Sequence, residues 1–259
     1  MRKAVLAIGV GLVLVGSRAD AGEPVRVRVL SYNIQGGRGP RLSLPRLAQV
    51  IAGQQPDLVA LQEVDVRTTR AQGVDQAAEL ARLTGLHVAF GAAMPYAGGE
   101  YGCAVLSRFP ILRAQTHALP AAGKSEPRCG VAVAVAVPGL GTNLLFCGTH
   151  LDNLSEALRV QQLQRLQTAL GSPGAPAILA GDLNAEPGSP TLTALAPPWL
   201  CVTTNLPSAT WPADQPRQRI DHVFCRPADR FRVVSAVVVD EREASDHRPV
   251  LVVFEWVVP

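Results

Sequence analysis

A mixed β-sheet, or a pair of sheets, covered by helices is the fold class this sequence predicts. Three observations carry it. Short apolar runs of strand length recur from Val25 to Val257. Segments with helical periodicity are interleaved among them. Two runs, Gly130–Val137 and Asn143–Thr149, flank Pro138-Gly139-Leu140-Gly141, a turn signal that makes them a hairpin. Strands alternating with helices, plus a hairpin, fit a helix-covered mixed sheet or pair of sheets.

In chain order, Val25–Tyr32 reads as the first strand. Pro45 to Gln54 is a helix carrying Leu47, Val50 and Ile51, with Ser43 as its N-cap and Pro45 tolerated in the first turn. Leu58–Glu63 is the second strand. Asp75 to Thr84, with Ala78, Ala81 and Leu83, is a helix that stops at Gly85. Ala104–Ser107, Gly130–Val137 and Asn143–Thr149 are strands. Val131-Ala132-Val133-Ala134-Val135-Ala136-Val137 has no polar face and reads as buried on both sides. Ser155 to Leu170, with Leu158, Leu163, Leu166 and Leu170, is a helix that stops at Gly171. Ala177–Ala180, Arg219–Phe224, Phe231–Val239 and Val250–Val257 complete the strands. Pro- and Gly-rich stretches near 94–99, 120–127 and 197–217 read as long loops, which often carry function.

The chain has 259 residues, 47% of them hydrophobic and 17% charged, a globular composition long enough for a large core. The N-terminus stands apart. Met1-Arg2-Lys3 is a basic n-region, Ala4 to Val15 is apolar, and Ala19-Asp20-Ala21 resembles a cleavage site. Residues 1–21 therefore read as a signal peptide, and the apolar run is shorter than the roughly 20 residues a spanning helix needs. The expectation is a secreted or periplasmic protein whose residues 22–259 form one catalytic domain. Removing Arg2, Lys3, Arg18 and Asp20 takes basic residues from 24 to 21 and acidic from 21 to 20, so the net charge falls from +3 to +1. No basic run marks a long nucleic-acid face.

The five cysteines, Cys103, Cys129, Cys147, Cys201 and Cys225, contain no CxxC pair, which excludes a zinc ribbon. An exported chain permits disulfides. Burial as small apolar residues is the reading for Cys103 and Cys147. Cys201–Cys225 and Cys103–Cys129 bridges both stay open.

Polar residues gather at the ends of the apolar runs. Asn33, Glu63, His150 with Asp152, and Asp182 with Asn184 each follow one. Asp221 lies inside another, and Asp246-His247 precedes the last. Ligand sites in α/β proteins lie at strand ends. Taken singly, each has an ordinary explanation as a turn residue, a surface acid or a core histidine. Taken together, clustered hard oxygen donors and two imidazoles match phosphoryl chemistry. Mg²⁺ takes one or two carboxylates, water and phosphate oxygens. An imidazole held by a carboxylate is a general base near neutral pH.

In order, Ser31-Tyr32-Asn33-Ile34, Leu61-Gln62-Glu63-Val64, Gly148-Thr149-His150-Leu151-Asp152, Gly181-Asp182-Leu183-Asn184, Arg219-Ile220-Asp221-His222-Val223-Phe224 and Ser245-Asp246-His247-Arg248-Pro249-Val250 resemble the motifs of the endonuclease/exonuclease/phosphatase superfamily. That superfamily includes pancreatic deoxyribonuclease, apurinic endonucleases, inositol polyphosphate 5-phosphatases and neutral sphingomyelinases. The resemblance implies a four-layer α/β/β/α sandwich, with two mixed sheets face to face and helices outside. It implies a metal-dependent phosphoric ester hydrolase using Mg²⁺, with Mn²⁺ as the alternative. It makes Glu63 the principal metal ligand, with Asn33 and Asp246 near the metal or phosphate. Asp182 and Asn184 become the pair that positions the attacking water and a phosphate oxygen. His247, oriented by Asp221, becomes the catalytic histidine, and His150 the second, on the scissile phosphate.

The stretches Glu63-Val64-Asp65, Arg67-Thr68 and Gly73 to Ala81 resemble small bacterial members, similar to a hydrolase-like domain linked to lipid-anchor remodelling proteins. In that branch Asn is expected at Cys103. Arg128 of Glu126-Pro127-Arg128 either neutralises a phosphate or makes a surface salt bridge. Arg159 with Gln162 either faces the site from the helix after His150 or forms that helix's solvated face, the second being favoured, and His222 reads as a packing residue. His87 and His117 match no motif.

The leading expectation is a monomeric phosphodiesterase acting on a lipid headgroup or small phosphodiester, because aromatics are 5% of the chain and lysine is scarce. A secreted nuclease on DNA or RNA is one alternative. A catalytically silent binding module of the same fold is another. The cysteine spacing argues against a thiol or zinc enzyme.

Overall fold

The computed structural model describes residues 24–37, 43–195 and 197–257. The expected signal peptide, residues 1–21, lies outside them. The strands are β1 (Arg26–Asn33), β2 (Leu58–Val66), β3 (His87–Tyr96), β4 (Gly99–Ser107), β5 (Ile111–Ala118), β6 (Cys129–Ala136), β7 (Asn143–His150), β8 (Ala177–Asp182), β9 (Leu200–Cys201), β10 (Asp221–Arg226), β11 (Phe231–Val238) and β12 (Val250–Trp256). The helices are α1 (Leu44–Gly53), α2 (Gln76–Thr84), α3 (Glu156–Ala169) and the single turn α4 (Pro190–Thr193).

Local chemistry sets the helix ends. Ser43 Oγ accepts from Arg46 N at 3.2 Å, Asp75 from Ala78 N at 2.9 Å and Ser155 from Leu158 N at 3.3 Å. Each satisfies an N–H that the helix itself leaves unpaired. Gly85 closes α2 at φ 71°, a left-handed cap that glycine takes without steric cost.

Two six-stranded sheets result, in the orders β11-β12-β1-β2-β4-β3 and β5-β6-β7-β8-β10-β9. Each holds one parallel pair, β1 with β2 and β7 with β8, joined by α1 and α3 respectively; the other pairings are antiparallel. The sheets meet through an apolar layer that includes Val29, Ala60, Val105, Val133, Phe146, Ile178, Val223 and Val252. The outer face of the first sheet packs Leu30, Val59 and Leu61 against Leu47, Ile51 and Leu80 of α1 and α2. The outer face of the second packs Cys147, Leu179 and Phe224 against Leu163, Leu166 and Leu192 of α3 and α4. This is the expected four-layer sandwich.

Several details differ from the sequence reading. The valines of β6 are buried between the sheets, but Ala132 and Ala134 are half-buried and Ala136 is exposed, so the strand is covered on one face only. The stretch near 94–99 is a tight turn between β3 and β4, not a long loop. The 197–217 segment includes β9 and ends in a bridge of Trp211 to Gln218. Strands β3, β5 and β9 and helix α4 add to the elements expected. Among the described residues no helix is long and apolar enough to cross a membrane.

Candidate active site

Strand register alone brings three polar residues into a row. In the second sheet His150 at the end of β7 pairs with Asp182 at the end of β8, and Asp182 pairs with Asp221 at the start of β10. The row is tight because Gly181 has no side chain: a Cβ there would stand 2.0 Å from Thr149 O on β7. Asp182 Oδ2 is its hub. His150 Nε2 lies at 3.4 Å and His247 Nε2 at 3.6 Å. His247 in turn gives its Nδ1–H to Asp221 Oδ2 at 2.9 Å. Asn184 N donates to Asp182 Oδ1 at 2.9 Å, and its amide nitrogen lies 3.1 Å from His150 Nε2.

The first sheet faces this row with oxygen donors. Between Leu61 and Val64 the register of β2 against β4 slips, and Glu63 sits in that bulge at φ 56°. A bulge re-aims a side chain that a regular strand would point elsewhere. A left-handed backbone costs a non-glycine residue on the order of 1 kcal/mol, and such strain clusters at functional sites. Gln35, at φ 52°, and Asn184, at φ 48°, share that backbone conformation here. Asn33 Nδ2 bridges the sheets, donating to Glu63 Oε1 at 3.2 Å and Asp182 Oδ2 at 3.1 Å. Gln35 N fixes the Asn33 amide by donating to its Oδ1 at 3.0 Å. Ser245 Oγ donates to Asn33 O at 2.7 Å, which holds the Asp246-His247 segment against β1. Buried Gln76 links the loops behind Glu63 and Asn33, accepting from Asp65 N at 2.9 Å and donating to Gly36 O at 2.8 Å.

The two histidines are equally buried but differ in charge. Burial, Arg128 and His247 hold His150 well below its ordinary value, so it is neutral at pH 7. Arg128 Nη1 donates to His150 Nδ1 at 3.0 Å. A guanidinium cannot accept, so that nitrogen is the acceptor and the ring proton sits on Nε2, toward Asp182. Burial opposes charging His247 too, but the charges of Asp221 and Asp182 prevail and raise it to about 10. Burial, then the charge of Asp221, pushes Asp182 up to about 7.

An open cavity of about 270 Å³ runs over these groups, lined by Glu63, Arg128, His150, Asp182, Asn184, Asp246 and His247, with Asn153, Trp211 and Ile220. All nine residues nominated from the sequence thus converge: Asn33 and Asp221 sit directly behind the lining through their hydrogen bonds. Arg128 is buried at the cleft and also pairs with Glu126 at 2.8 Å, so it is more than a surface ion pair. Arg159 and Gln162 differ from the solvated face expected. Gln162 is fully buried, accepting from Asp152 N at 2.8 Å and donating to Pro120 O at 2.9 Å, while Arg159 donates to Asp152 O at 3.1 Å. They brace the turn after His150. Asp152 itself accepts from Leu154 N and Ser155 N and shapes that turn. His222 is packed and held by Thr203 Oγ1 and Ala185 O, as a structural residue. Trp211 and Asn153 were not nominated. Trp211, 36% exposed, leans over His247 with ring centroids 6.4 Å apart.

Residues 30–247 match the endonuclease/exonuclease/phosphatase family. The chain belongs to that family. It is therefore a hydrolase of phosphate esters in a family that depends on divalent metal ions. It is 26% identical over 246 residues to the uncharacterized protein YbhP of Escherichia coli K12, an alignment covering 89% of this chain and 96% of that one. An endonuclease/exonuclease/phosphatase structure from Beutenbergia cavernae is 27% identical, with a TM-score of 0.68, over 89% of this chain and 72% of that chain. A mannosyl-6-phosphatase from Bacteroides thetaiotaomicron shares the fold at 21% identity and a TM-score of 0.72, over 88% of this chain and 99% of that chain.

The site offers two donor sets for the family's metal. Ligand atoms of Asp182, Asp221 and His247 all lie within 4.8 Å of one another. These three already engage one another, and one offers nitrogen. The second set centres on two carboxylates of the cavity wall, Glu63 and Asp246, with Asn33 behind Glu63. The two hydrogen bonds to the Asp246 carboxylate, from Trp211 Nε1 and Ser245 Oγ, are long at 3.4 Å. Hard cations such as Mg²⁺ favour oxygen donors with room for water, so the half-buried, cavity-lining carboxylates of Glu63 and Asp246 fit better.

Proposed function

We propose that this protein is an exported, Mg²⁺-dependent phosphodiesterase acting on a lipid headgroup or another small phosphodiester. The observation that carries the reading is the continuous row Asp221–His247–Asp182–His150 beside the oxygen donors of the facing sheet. Glu63, Asn33 and Asp246 are the residues we assign to the metal. A divalent ion there supplies charge neutralisation to the phosphoryl oxygens. Asp182, whose value of about 7 leaves it partly ionised at neutral pH, takes up the proton of the attacking water, and His247, kept charged by Asp221, orients that water and Asp182. Neutral His150 offers Nε2–H, and Asn184 its amide, to phosphate oxygens. Arg128 sets the His150 tautomer and adds positive charge beside the developing pentavalent phosphate.

Export rests on the signal-like residues 1–21, and we assign the mature chain as one monomeric catalytic domain. The small-substrate assignment rests on the mature charge of +1 and the 270 Å³ cavity. Purified protein with Mg²⁺ or Mn²⁺ should be assayed against sphingomyelin, phosphatidylinositol, bis-p-nitrophenyl phosphate, p-nitrophenyl phosphate, plasmid DNA and RNA. Turnover of the diesters, abolished by EDTA and by Asp182→Ala, is the expected result. Nicking of plasmid without turnover of lipid or small diesters would replace this reading with the nuclease one. Cleavage of the monoester alone would make it a phosphatase. Silence from folded protein on every substrate would favour a binding module.

A further inference from the structure

All five cysteines are free thiols. Cys147 and Cys201 hydrogen bond elsewhere, to Gly148 O and to Thr203 or His222. Cys103 and Cys129 are different. They lie on opposite sheets, Cys103 on β4 and Cys129 at the start of β6, and both are buried in the layer between them. Cys103 Sγ lies 3.9 Å from Cys129 O, and Cys129 Sγ lies 3.2 Å from Gly91 O, beside Cys103 in register. The nearness of Cys103 lowers Cys129 from its ordinary value, and Cys129 with burial raises Cys103.

We propose that Cys103 and Cys129 are a modification site: they form a disulfide that cross-links the two sheets directly behind Arg128 and His150. The oxidant is a low-molecular-weight disulfide or a protein disulfide donor of an oxidising compartment. The Cys129 thiolate attacks one oxidant sulfur and the oxidant S–S bond breaks. One thiolate leaves and takes up the proton. Cys103 then loses its proton and attacks the Cys129 sulfur of the mixed disulfide, releasing a second thiol. Two protein thiols are oxidised by two electrons, and one disulfide is reduced to two thiols. Because both sulfurs are buried, exchange takes place as the chain folds or during local opening. Cys225 packs between the sheets while Cys201 and Cys147 pack on the outer face, so these three of the five thiols stay unpaired.

The placement gives the bond a consequence for the site. Cys129 follows Arg128, whose guanidinium sets the His150 tautomer. Tyr101, Cys103, Arg128, Cys129 and His150 line one narrow void. The cross-link would fix the start of β6, and Arg128 with it, against the opposing sheet. Only the compartment draws on the export reading. The chemistry is tested on purified protein, so failure of either is recognisable on its own.

The full chain, reduced and unfolded, should be refolded in a glutathione buffer of mixed redox state, acid-quenched, denatured and alkylated. We expect three alkylated thiols and one tryptic cross-link joining the peptides that contain Cys103 and Cys129. The oxidised protein should melt roughly 6–12 °C above the reduced one, from closure of a loop whose ends are 26 residues apart. Cys147→Ala should keep both effects and Cys129→Ala should lose both. Five alkylated thiols, or a cross-link between any other pair, would overturn the proposal. Peptide mapping of the unsubstituted protein decides it even if Cys129→Ala fails to fold.

Discussion

The two parallel strand pairs are built alike but present different groups. In one sheet β1, α1 and β2 deliver Asn33 and Glu63; in the other β7, α3 and β8 deliver His150 and Asp182. Both pairs place their polar residues at the carboxyl ends of parallel strands, where ligands of α/β proteins gather. The second unit keeps regular register, and its residues are almost fully buried. The first breaks register at Glu63 and leaves the carboxylate half-buried at the cavity. The difference teaches a division of labour. Proton-handling groups need low dielectric and fixed neighbours, which a regular ladder supplies. The carboxylate we assign to the cation needs reach and water, which a bulge supplies.

The contrast is broken most severely by substitution in the regular row. Asp182→Ala and His247→Ala should each lower kcat about 10²–10⁴-fold, measured as initial rates at saturating metal. Asp221→Asn should cost somewhat less, roughly 10²-fold. NMR should then find the His247 ring titrating well below the value of about 10 that the Asp221 and Asp182 charges support. On the bulged side, Glu63→Gln should raise the metal concentration for half-maximal rate about 10–100-fold while leaving the rate at saturation closer to normal. Comparable loss of kcat at saturating metal would erase the proposed division. Arg128→Ala should raise KM about tenfold and lift the depressed His150 pKa, read by the same NMR titration.

The smallest effect is on stability in metal-free protein. His150 is held below the unfolded value of 6.5, so its contribution is complete above pH 6.5 and is lost as pH falls below it. His247 is held above, so its contribution is complete below pH 6.5 and is lost as pH rises toward about 10. Thermal melts in EDTA should therefore decline as pH rises above 6.5, while below it the loss at His150 is opposed by Asp182, whose raised value of about 7 favours the folded state as pH falls. His247→Gln should flatten the alkaline limb, and His150→Gln should remove the acid-side loss.

Most of the regular row was legible because it follows from position: apolar runs ending in Asp182, His150 and Asn33 need only strand geometry to converge. The edge strands β3 and β5 were not. Gly91, Ala92, Ala93 and Pro95 dilute the strand signal of one, and the other is exposed along most of its length, so neither shows a continuous apolar run. The bulge at Glu63 left no trace, since Leu61-Gln62-Glu63-Val64 contains no glycine to mark it. Arg159 and Gln162 misled for the opposite reason. Their polarity suggested solvent, but it is consumed by the backbone of the turn they hold. Trp211 reaches the cavity from a long irregular loop, where spacing carries no direction.

Asn33 reaching from one sheet to Asp182 on the other makes the cleft a seam. Neither sheet alone holds a complete set of groups, so no fragment bounded by one sheet could serve as a smaller catalyst. The thickness of the apolar layer sets the gap that Asn33 must span. At Gly148 an added methyl group would come within 3.1 Å of Ala60 Cβ and 3.2 Å of Val105 Cγ2. A wedge of that kind, invisible from the cleft, would act as a spacer on the active site. The hydrophobic interior of this enzyme is in that sense a gauge block for its chemistry.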